Sequence, residues 1–215
     1  MRDTVNLTGM VILSTPVGEY DKRLVLLTRE RGKITAFARG AKRPGNMLMG
    51  PSRPFAFGTF QLYEGKDAYN LQSAEISNYF AEIFLDMEQS CYGQYFLEFS
   101  DYYSRENLDG SQQLLLIYQS LRALLKPQIS NVLIRYIFEL RAMVISGEYT
   151  EHPPKAVSDS ANYTWEFVIA SPIESLYTFT VTDSVLSEFK KCVEINTAHY
   201  VDREFHSLEI LKTLK

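Results

Sequence analysis

The stretch "RLVLLTRERGKITAFAR" (residues 23–39) decides the fold of the N-terminal part of the chain. Two runs rich in β-branched and apolar residues, 23–28 and 33–39, flank the connection RERG. Gly32 in this connection can adopt a positive φ without steric cost, as tight turns require. The pattern therefore predicts a β-hairpin.

Successive side chains of the second run point to opposite faces of the predicted sheet. One face carries Lys33, Thr35, Phe37 and Arg39, and the other carries Ile34, Ala36 and Ala38. The small apolar face suits a barrel interior, which leaves two readings for Phe37. It is exposed between two cations, or it packs under a loop or against the helical part of the chain.

Working outward, runs 6–14, 55–65 and 68–76 predict three more strands, and Gly58 suits a bulge or a sharp bend. Residues 40–54 contain three Gly and three Pro, which predicts a long, flexible surface loop. Five short strands in about 75 residues favour a small closed barrel of the OB type, because closure removes exposed edges. An SH3-like barrel is the alternative on strand count alone.

After residue 76 the apolar spacing changes to three and four, which indicates helices. The predicted helices lie within 78–107, 111–125, 131–147, 182–198 and 202–214, while 163–170 and 176–181 read as a β-hairpin. The fold class is therefore α+β. A five-stranded OB-fold barrel (1–77) precedes an all-helical domain (78–215) with a small hairpin insertion in 148–181.

Charge is unevenly spread along a chain whose net charge is −4. Residues 1–66 hold eleven basic and five acidic residues, and the remainder holds eleven and twenty-one. This asymmetry suggests a module that faces a polyanion joined to an acidic one. The alternative is that the basic residues only keep a barrel in solution.

Signatures of catalysis, cofactor binding and metal binding are missing from the sequence. It has no Walker A loop, GxGxxG, HExxH or GxSxG motif, and neither Cys91 nor Cys192 belongs to a CxxC pair. We therefore expect no catalytic residue, no cofactor and no metal. No secretory signal or membrane-spanning run is recognisable, so a reduced cytoplasm is the expected compartment.

Nucleic-acid binding is the chemistry that the residues favour, since single-strand binders combine a positive groove with aromatic faces. The candidate binding residues are Arg23, Arg29, Arg31, Lys33, Phe37, Arg39, Lys42, Arg43 and Arg53. Three functions fit them: binding DNA, binding RNA, or docking an acidic protein partner.

The N-terminal residues also resemble a known family. The turn Gly18, Glu19 and Asp21, the run "LLTRERGKI" (26–34) and the element "ARGAKRP" (38–44) are similar to the bacterial RecO family. The segments 55–76, 133–149 and 208–215 extend the resemblance over most of the chain.

This resemblance implies an OB domain, a helical domain and the binding of single- and double-stranded DNA with annealing of complementary strands. The implied partners are RecR, often RecF, and single-stranded DNA-binding protein, with loading of RecA as the outcome and a place at the nucleoid. One departure matters. Many relatives carry a four-cysteine zinc site, whereas residues 148–179 here contain no cysteine.

Overall fold

A five-stranded closed barrel forms the N-terminal part of the protein. We describe residues 4–214 in a computed structural model; the outer limits of the predicted domains, residues 1 and 215, lie outside the described residues. The strands are β1 (Thr4–Val17), β2 (Asp21–Thr28), β3 (Gly32–Ala38), β4 (Phe57–Glu64) and β5 (Tyr69–Asn78). Their order around the barrel is β1-β2-β3-β5-β4. The predicted five-stranded OB-type barrel is confirmed.

Alternation along the strands sorts side chains into the barrel interior and its outer surface. Ile34, Ala36 and Ala38 are buried, as the sequence predicts, while the intervening residues of β3 are half-buried. They join a core made of Leu7, Val11, Leu24, Leu26, Ala41, Leu48, Ala56, Phe60, Leu62 and Leu71. Small residues in β3 let the strand approach this core closely, which suits the narrow interior of a five-stranded barrel.

Gly58 lies where β4 and β5 come too close for a side chain. A Cβ atom at this position would stand 2.0 Å from the carbonyl oxygen of Glu75. The register between the two strands also shifts between Phe57 and Gly58. The predicted irregularity at Gly58 is therefore confirmed: the extra residue, Ser77, lies opposite in β5, and the close approach of the strands gives Gly58 a steric reason.

Residues 40–54 differ from the predicted flexible loop, because they form a chain of consecutive turns anchored in the core. The amide of Arg43 donates to Gly40, that of Asn46 to Arg43, and that of Met49 to Asn46. Ala41 and Leu48 are buried in the barrel core. Apolar anchors inside a Gly- and Pro-rich segment thus fix the backbone that its composition alone suggested was mobile.

The chain divides into two compact units. The first comprises the residues up to Ala81 together with Ser100–Leu114, and the second comprises Glu82–Phe99 together with the residues from Leu115 on. The helices are α1 (Met87–Tyr103), α2 (Ser111–Leu124), α3 (Asn131–Ser146), α4 (Asp159–Ala170), α5 (Asp183–Tyr200) and α6 (His206–Thr213). Domain limits of 1–77 and 78–215 stay a prediction.

Helix α3 is the central element of the second unit. Ser130 caps its first turn by accepting the amide of Leu133, and Gly147, with a φ of 75°, ends the helix. One carboxylate, that of Glu139, is buried in this helix with 1% of its side chain exposed. Tyr95 and Arg135 both donate to it, at 2.6 and 2.7 Å. A buried charge is thereby kept satisfied.

The predicted hairpin of 163–170 and 176–181 is wrong, because the first of these runs lies in α4. Ser158 accepts the amide of Ala161 and caps the helix. The negative charge of Asp159, in the first turn, interacts favourably with the positive N-terminal end of the helix dipole. Ala161, Trp165 and Val168 are buried at helical spacing. Burial at a period of 3.6 outweighs the β propensity of the aromatic and β-branched residues between them. No helix within residues 4–214 is long and apolar enough to cross a bilayer.

Candidate nucleic-acid interface

The outer face of the β2–β3 hairpin brings together two of the predicted binding residues, Arg23 and Phe37. Arg23 lies directly opposite Phe37 in the strand register, so both side chains share one face. The Arg23 guanidinium donates to the hydroxyl of Thr35 at 3.4 Å. Phe37 is half-buried, which leaves part of its ring accessible beside the cation. This face offers one charge, one hydroxyl and one aromatic surface.

Three predicted cations near the β2–β3 turn instead have partners inside the first unit. Arg29 forms an ion pair with Glu30 at 3.1 Å, and Arg31 pairs with Glu64 at 3.1 Å. Lys33 donates to the carbonyl and the carboxylate of a single residue, Asp101, at 2.8 and 3.3 Å. The field of these cations at the surface is thus partly cancelled by neighbouring carboxylates.

Arg31 is held by one further contact, a hydrogen bond from its guanidinium to the hydroxyl of Tyr69. This bond, together with the one to Glu64, raises the pKa of Arg31 above its already high value. The hydroxyl of Tyr69 thus helps to hold the Arg31 side chain in place. The β2–β3 turn is therefore a mixed-charge surface.

A different arrangement occupies the end of the barrel where β2 begins and β3 has ended. Four cations gather there, which we call the basic end: Lys22, Lys42, Arg43 and Arg53. Lys42 donates its amide to the carbonyl of Tyr20 at 2.9 Å, and the Arg43 guanidinium lies 4.4 Å from the centre of the Tyr20 ring. Within residues 4–214, no carboxylate forms an ion pair with any of the four.

The cations of the basic end are close enough to repel one another. The pKa of Lys22 lies below its ordinary value, because burial withdraws the ammonium from water and because Arg53 and Lys42 repel it. Its ammonium donates to Ser52 at 3.2 Å, a neutral partner that does not cancel the charge. An anion placed among these groups would relieve both the repulsion and the desolvation.

The backbone around the basic end is fixed by one acidic residue. The carboxylate of Asp21 accepts the amide of Gly40 at 2.7 Å. Gly40 has a φ of 69°, a conformation that glycine adopts without strain. Asp21 therefore sets the turn that follows β3, and Arg39 directly before that turn is exposed on the surface.

The eight predicted cations and Phe37 do not form one surface in the structure. Arg23 and Phe37 share the hairpin face; Lys42, Arg43 and Arg53 belong to the basic end; Arg29, Arg31 and Lys33 are paired with carboxylates. Arg39 lies between these groups along the chain.

Lys22 and Tyr20 are the site residues that sequence reasoning missed. Lys22 pairs in register with Ala38, which is an interior position. Strict alternation therefore points Lys22 into the barrel, but at the end of a strand a long side chain can reach out of the barrel mouth. The signal that could have identified Lys22 is a lysine at an inward-facing position at the end of a strand.

A metal centre is not supported by the described residues. Among residues 4–214, no group of three His, Cys, Asp or Glu side chains is placed to hold a metal ion. Residues 148–181 contain no cysteine, so they offer no thiolate for the four-cysteine zinc site that the resemblance would imply.

Comparison with known proteins agrees with the barrel. Residues 1–80 match the family described as "Recombination protein O N terminal". Over 96% of its length the chain is 25% identical to the DNA repair protein RecO of Acetivibrio thermocellus, of which it covers 96%. Residues 1–80 thus carry a RecO N-terminal domain, and nearly the whole chain is similar to RecO proteins. RecO of Clostridium perfringens is 24% identical over 96% of this chain and 97% of that protein.

The similarity to other RecO proteins is higher over a shorter span. The DNA repair protein RecO of Bacillus subtilis is 32% identical over 66% of this chain and 56% of that protein. The family match at residues 1–80 contains the hairpin face and the whole basic end. Both candidate surfaces therefore lie in the part of the chain that matches the family.

Proposed function

We propose that this chain is a RecO protein, a non-enzymatic DNA-binding protein of recombinational repair that anneals single strands on its barrel. The similarity to RecO proteins supports a function in DNA repair and recombination. The barrel, within residues 1–77, would hold DNA, and residues 78–215 would meet protein partners. Annealing needs no bond-making side chain, in keeping with a sequence that offers no catalytic motif.

The observation that carries the proposal is the basic end. Lys22, Lys42 and Arg53 lie close enough to repel, and no described carboxylate pairs with them. Phosphates of a DNA backbone would neutralise these charges and release the counterions that surround the nucleic acid. Neutralising two complementary strands at one surface lowers their mutual repulsion, which favours annealing.

The hairpin face adds a contact for bases. Phe37 presents part of its ring beside Arg23, and stacking of a base on an aromatic side chain contributes about 1–3 kcal/mol. A strand that crosses from the basic end onto this face would meet phosphate-binding groups first and a stacking surface next. Such contacts tolerate any sequence, as annealing requires.

The paired cations provide a matched control for the first experiment. We compare the triple variant Lys42→Ala, Arg43→Ala and Arg53→Ala with the triple variant Arg29→Ala, Arg31→Ala and Lys33→Ala. Both lose three positive charges, but only the first set lacks carboxylate partners. Affinity for a fluorescent single-stranded oligonucleotide is measured by anisotropy across a range of salt concentrations.

We expect the first variant to lose roughly tenfold or more in affinity and its log–log salt slope to fall by about 0.7 for each lost phosphate contact. The variant of the three paired cations should lose much less affinity. Equal losses in the two variants would contradict the assignment of the basic end. A stronger affinity for RNA than for DNA of the same sequence would favour the RNA-binding alternative.

The proposed partners are RecR, often RecF, and single-stranded DNA-binding protein, with the loading of RecA as the outcome and the nucleoid as the place. An assay of strand annealing, run with naked strands and with strands coated by single-stranded DNA-binding protein, tests this step. We expect wild-type protein to accelerate both reactions and the basic-end variant to accelerate neither. A protein that bound DNA without accelerating annealing would leave only the binding half of the proposal standing.

A further inference from the structure

Residues 82–88, at the start of α1, present three large apolar side chains to solvent. Phe84, Leu85 and Met87 are 58%, 87% and 65% exposed. Single exposed apolar residues are common on protein surfaces, but three within four positions form a cluster, and such clusters mark interaction sites. We call residues 82–88 the exposed turn.

The exposed turn is held in one conformation. Ile83 is fully buried, and its carbonyl accepts the hydroxyl of Ser90 at 2.9 Å. Asp86 caps α1: its carboxylate accepts the amide of Gln89 at 2.8 Å, and its carbonyl accepts that of Ser90 at 2.9 Å. The apolar side chains are therefore presented on an ordered backbone, which lowers the entropic cost of binding a partner.

Every charged side chain of the exposed turn is a carboxylate. Glu82, Asp86 and Glu88 are interspersed with the apolar residues, and residues 67–104 contain seven Asp and Glu but no Lys or Arg. Among the described residues, no cation forms an ion pair with these three carboxylates. Glu88 accepts a hydrogen bond from the side-chain amide of Asn131 at 3.0 Å, a neutral partner that leaves its charge in place. The apolar cluster thus lies in a field of uncompensated negative charge.

This combination of apolar surface and negative charge selects the chemistry of a partner. Phosphate groups of nucleic acids and anionic lipids would be repelled by the carboxylates. A protein segment that carries Lys or Arg beside apolar side chains would be attracted by both features, since interfaces combine an apolar centre with a polar rim. Electrostatic attraction would also speed the encounter.

We propose that the exposed turn binds a cationic, amphipathic segment of a protein partner. Apolar side chains of that segment cover Leu85 and Met87, and its Lys or Arg side chains face Glu82 and Asp86. The inference rests on the part of the proposed function in which residues 78–215 meet protein partners. It shares no residue with the hairpin face or the basic end, so DNA binding by the barrel does not decide it.

The first test removes the apolar side chains. The probe is a fluorescein-labelled amphipathic helical peptide composed of Leu and Lys, and a matched peptide carries Glu in place of each Lys. We compare the double variant Leu85→Ala and Met87→Ala with the double variant Ile195→Ala and Ile210→Ala, which truncates residues of α5 and α6 that are 45% and 40% exposed. The first should lose roughly fivefold or more in affinity for the Lys peptide, measured by anisotropy, and the second should lose little. Equal losses, or a wild type that binds the Glu peptide as tightly, would contradict the proposal.

The second test removes charge but keeps shape. Glu82→Gln and Asp86→Asn are combined, because asparagine retains the oxygen that caps α1. Glu151→Gln with Glu174→Gln is the control, since both glutamates are exposed in the same unit. The first pair should weaken binding of the Lys peptide by roughly threefold or more at low salt and by less at high salt. An identical loss for both pairs would indicate attraction to net charge alone and would overturn the proposal.

Two further measurements separate a protein partner from a membrane or a nucleic acid. Vesicles of phosphatidylglycerol should not bind through the exposed turn, and vesicle binding that the Leu85→Ala and Met87→Ala variant abolishes would refute a protein partner. The same variant should keep wild-type affinity for the single-stranded oligonucleotide, so failures of peptide binding and of DNA binding are read independently. A loss of DNA affinity in this variant would instead assign the turn to the nucleic acid. Emission of Trp165, which is buried in the helical unit, checks that each variant is folded.

Discussion

The two units of this protein place charge in opposite ways. The barrel gathers cations on its surface, and Lys42, Arg43 and Arg53 lack any described carboxylate partner. The helical unit instead buries the carboxylate of Glu139 and satisfies it with Arg135 and Tyr95. Charge left unpaired in water remains available to a ligand, while charge paired in the interior serves the packing of the unit that contains it.

The strongest test of this contrast removes the cation of the buried pair. Arg135→Ala leaves the Glu139 carboxylate buried without its cation, which should lower the free energy of unfolding of the helical unit by about 3–5 kcal/mol. Urea denaturation followed by the fluorescence of Trp165 measures the loss. Trp165 is the single tryptophan of the chain, and it is buried in this unit.

Its control is the exposed pair in the barrel. Arg31→Ala should lower stability by less than about 1 kcal/mol, since Arg31 and Glu64 are a third and a half exposed. Hydrogen exchange in the strands follows the barrel. The double variant Arg135→Met with Glu139→Leu should recover much of the loss, because it leaves no unpaired charge. Similar losses for Arg135→Ala and Arg31→Ala would break the contrast between the units.

A second prediction concerns the close distance between β4 and β5 in the barrel rather than charge. Gly58→Ala would place a Cβ against the carbonyl of Glu75, so the strands must part, at a cost of about 1–3 kcal/mol. Hydrogen exchange measured by mass spectrometry should accelerate in β4 and β5, while the Trp165 transition stays unchanged. Thr59→Ala, an exposed neighbour, is the control. Undisturbed exchange in Gly58→Ala would contradict the steric argument.

The smallest effect is a pH dependence of DNA binding. Because the pKa of Lys22 is lowered, this lysine loses its charge at a lower pH than an ordinary lysine. The affinity of the wild type for DNA should therefore fall as pH rises from about 8 to 10. In Lys22→Arg the fall should be smaller, by a factor of up to about three, since arginine stays protonated. Anisotropy titrations at several pH values measure the difference between the two proteins.

Stability should move in the opposite direction over the same range. The folded state holds the Lys22 proton less tightly than the unfolded state, so this group makes folding more favourable as pH rises. A loss of DNA affinity at high pH would then not be a loss of fold. Identical pH profiles for wild type and Lys22→Arg would remove Lys22 from the interface.

Sequence alone predicts the barrel well because the inside and outside of a strand follow from alternation. Ile34, Ala36 and Ala38 were assigned to the interior and are buried. Alternation does not predict the position of a long side chain at the end of a strand. Lys22 is at an interior position of β2, but its ammonium reaches out of the barrel and donates to Ser52. Pairing of Lys33 with Asp101 joins residues 68 positions apart, which no local pattern reveals.

The run 163–170 shows where a local pattern is not enough to predict secondary structure. Its aromatic and β-branched residues satisfy both a period of two and a period of 3.6, so the run alone does not settle its structure. The deciding features lie outside it: the cap at Ser158 and the carbonyl of Thr150, to which Trp165 donates at 3.2 Å. Once 163–170 forms a helix, 176–181 loses the partner strand that its sequence anticipates.

The topology of the barrel sets an order of events during synthesis. Strands β1, β2 and β3 are joined by short connections and can pair as soon as they are made, but β1 and β3 each keep one open edge. β4 later closes the edge of β1, and β5 closes that of β3. A nascent chain that stops short of residue 57 thus exposes two strand edges at once, and one hairpin, Phe57–Asn78, seals both.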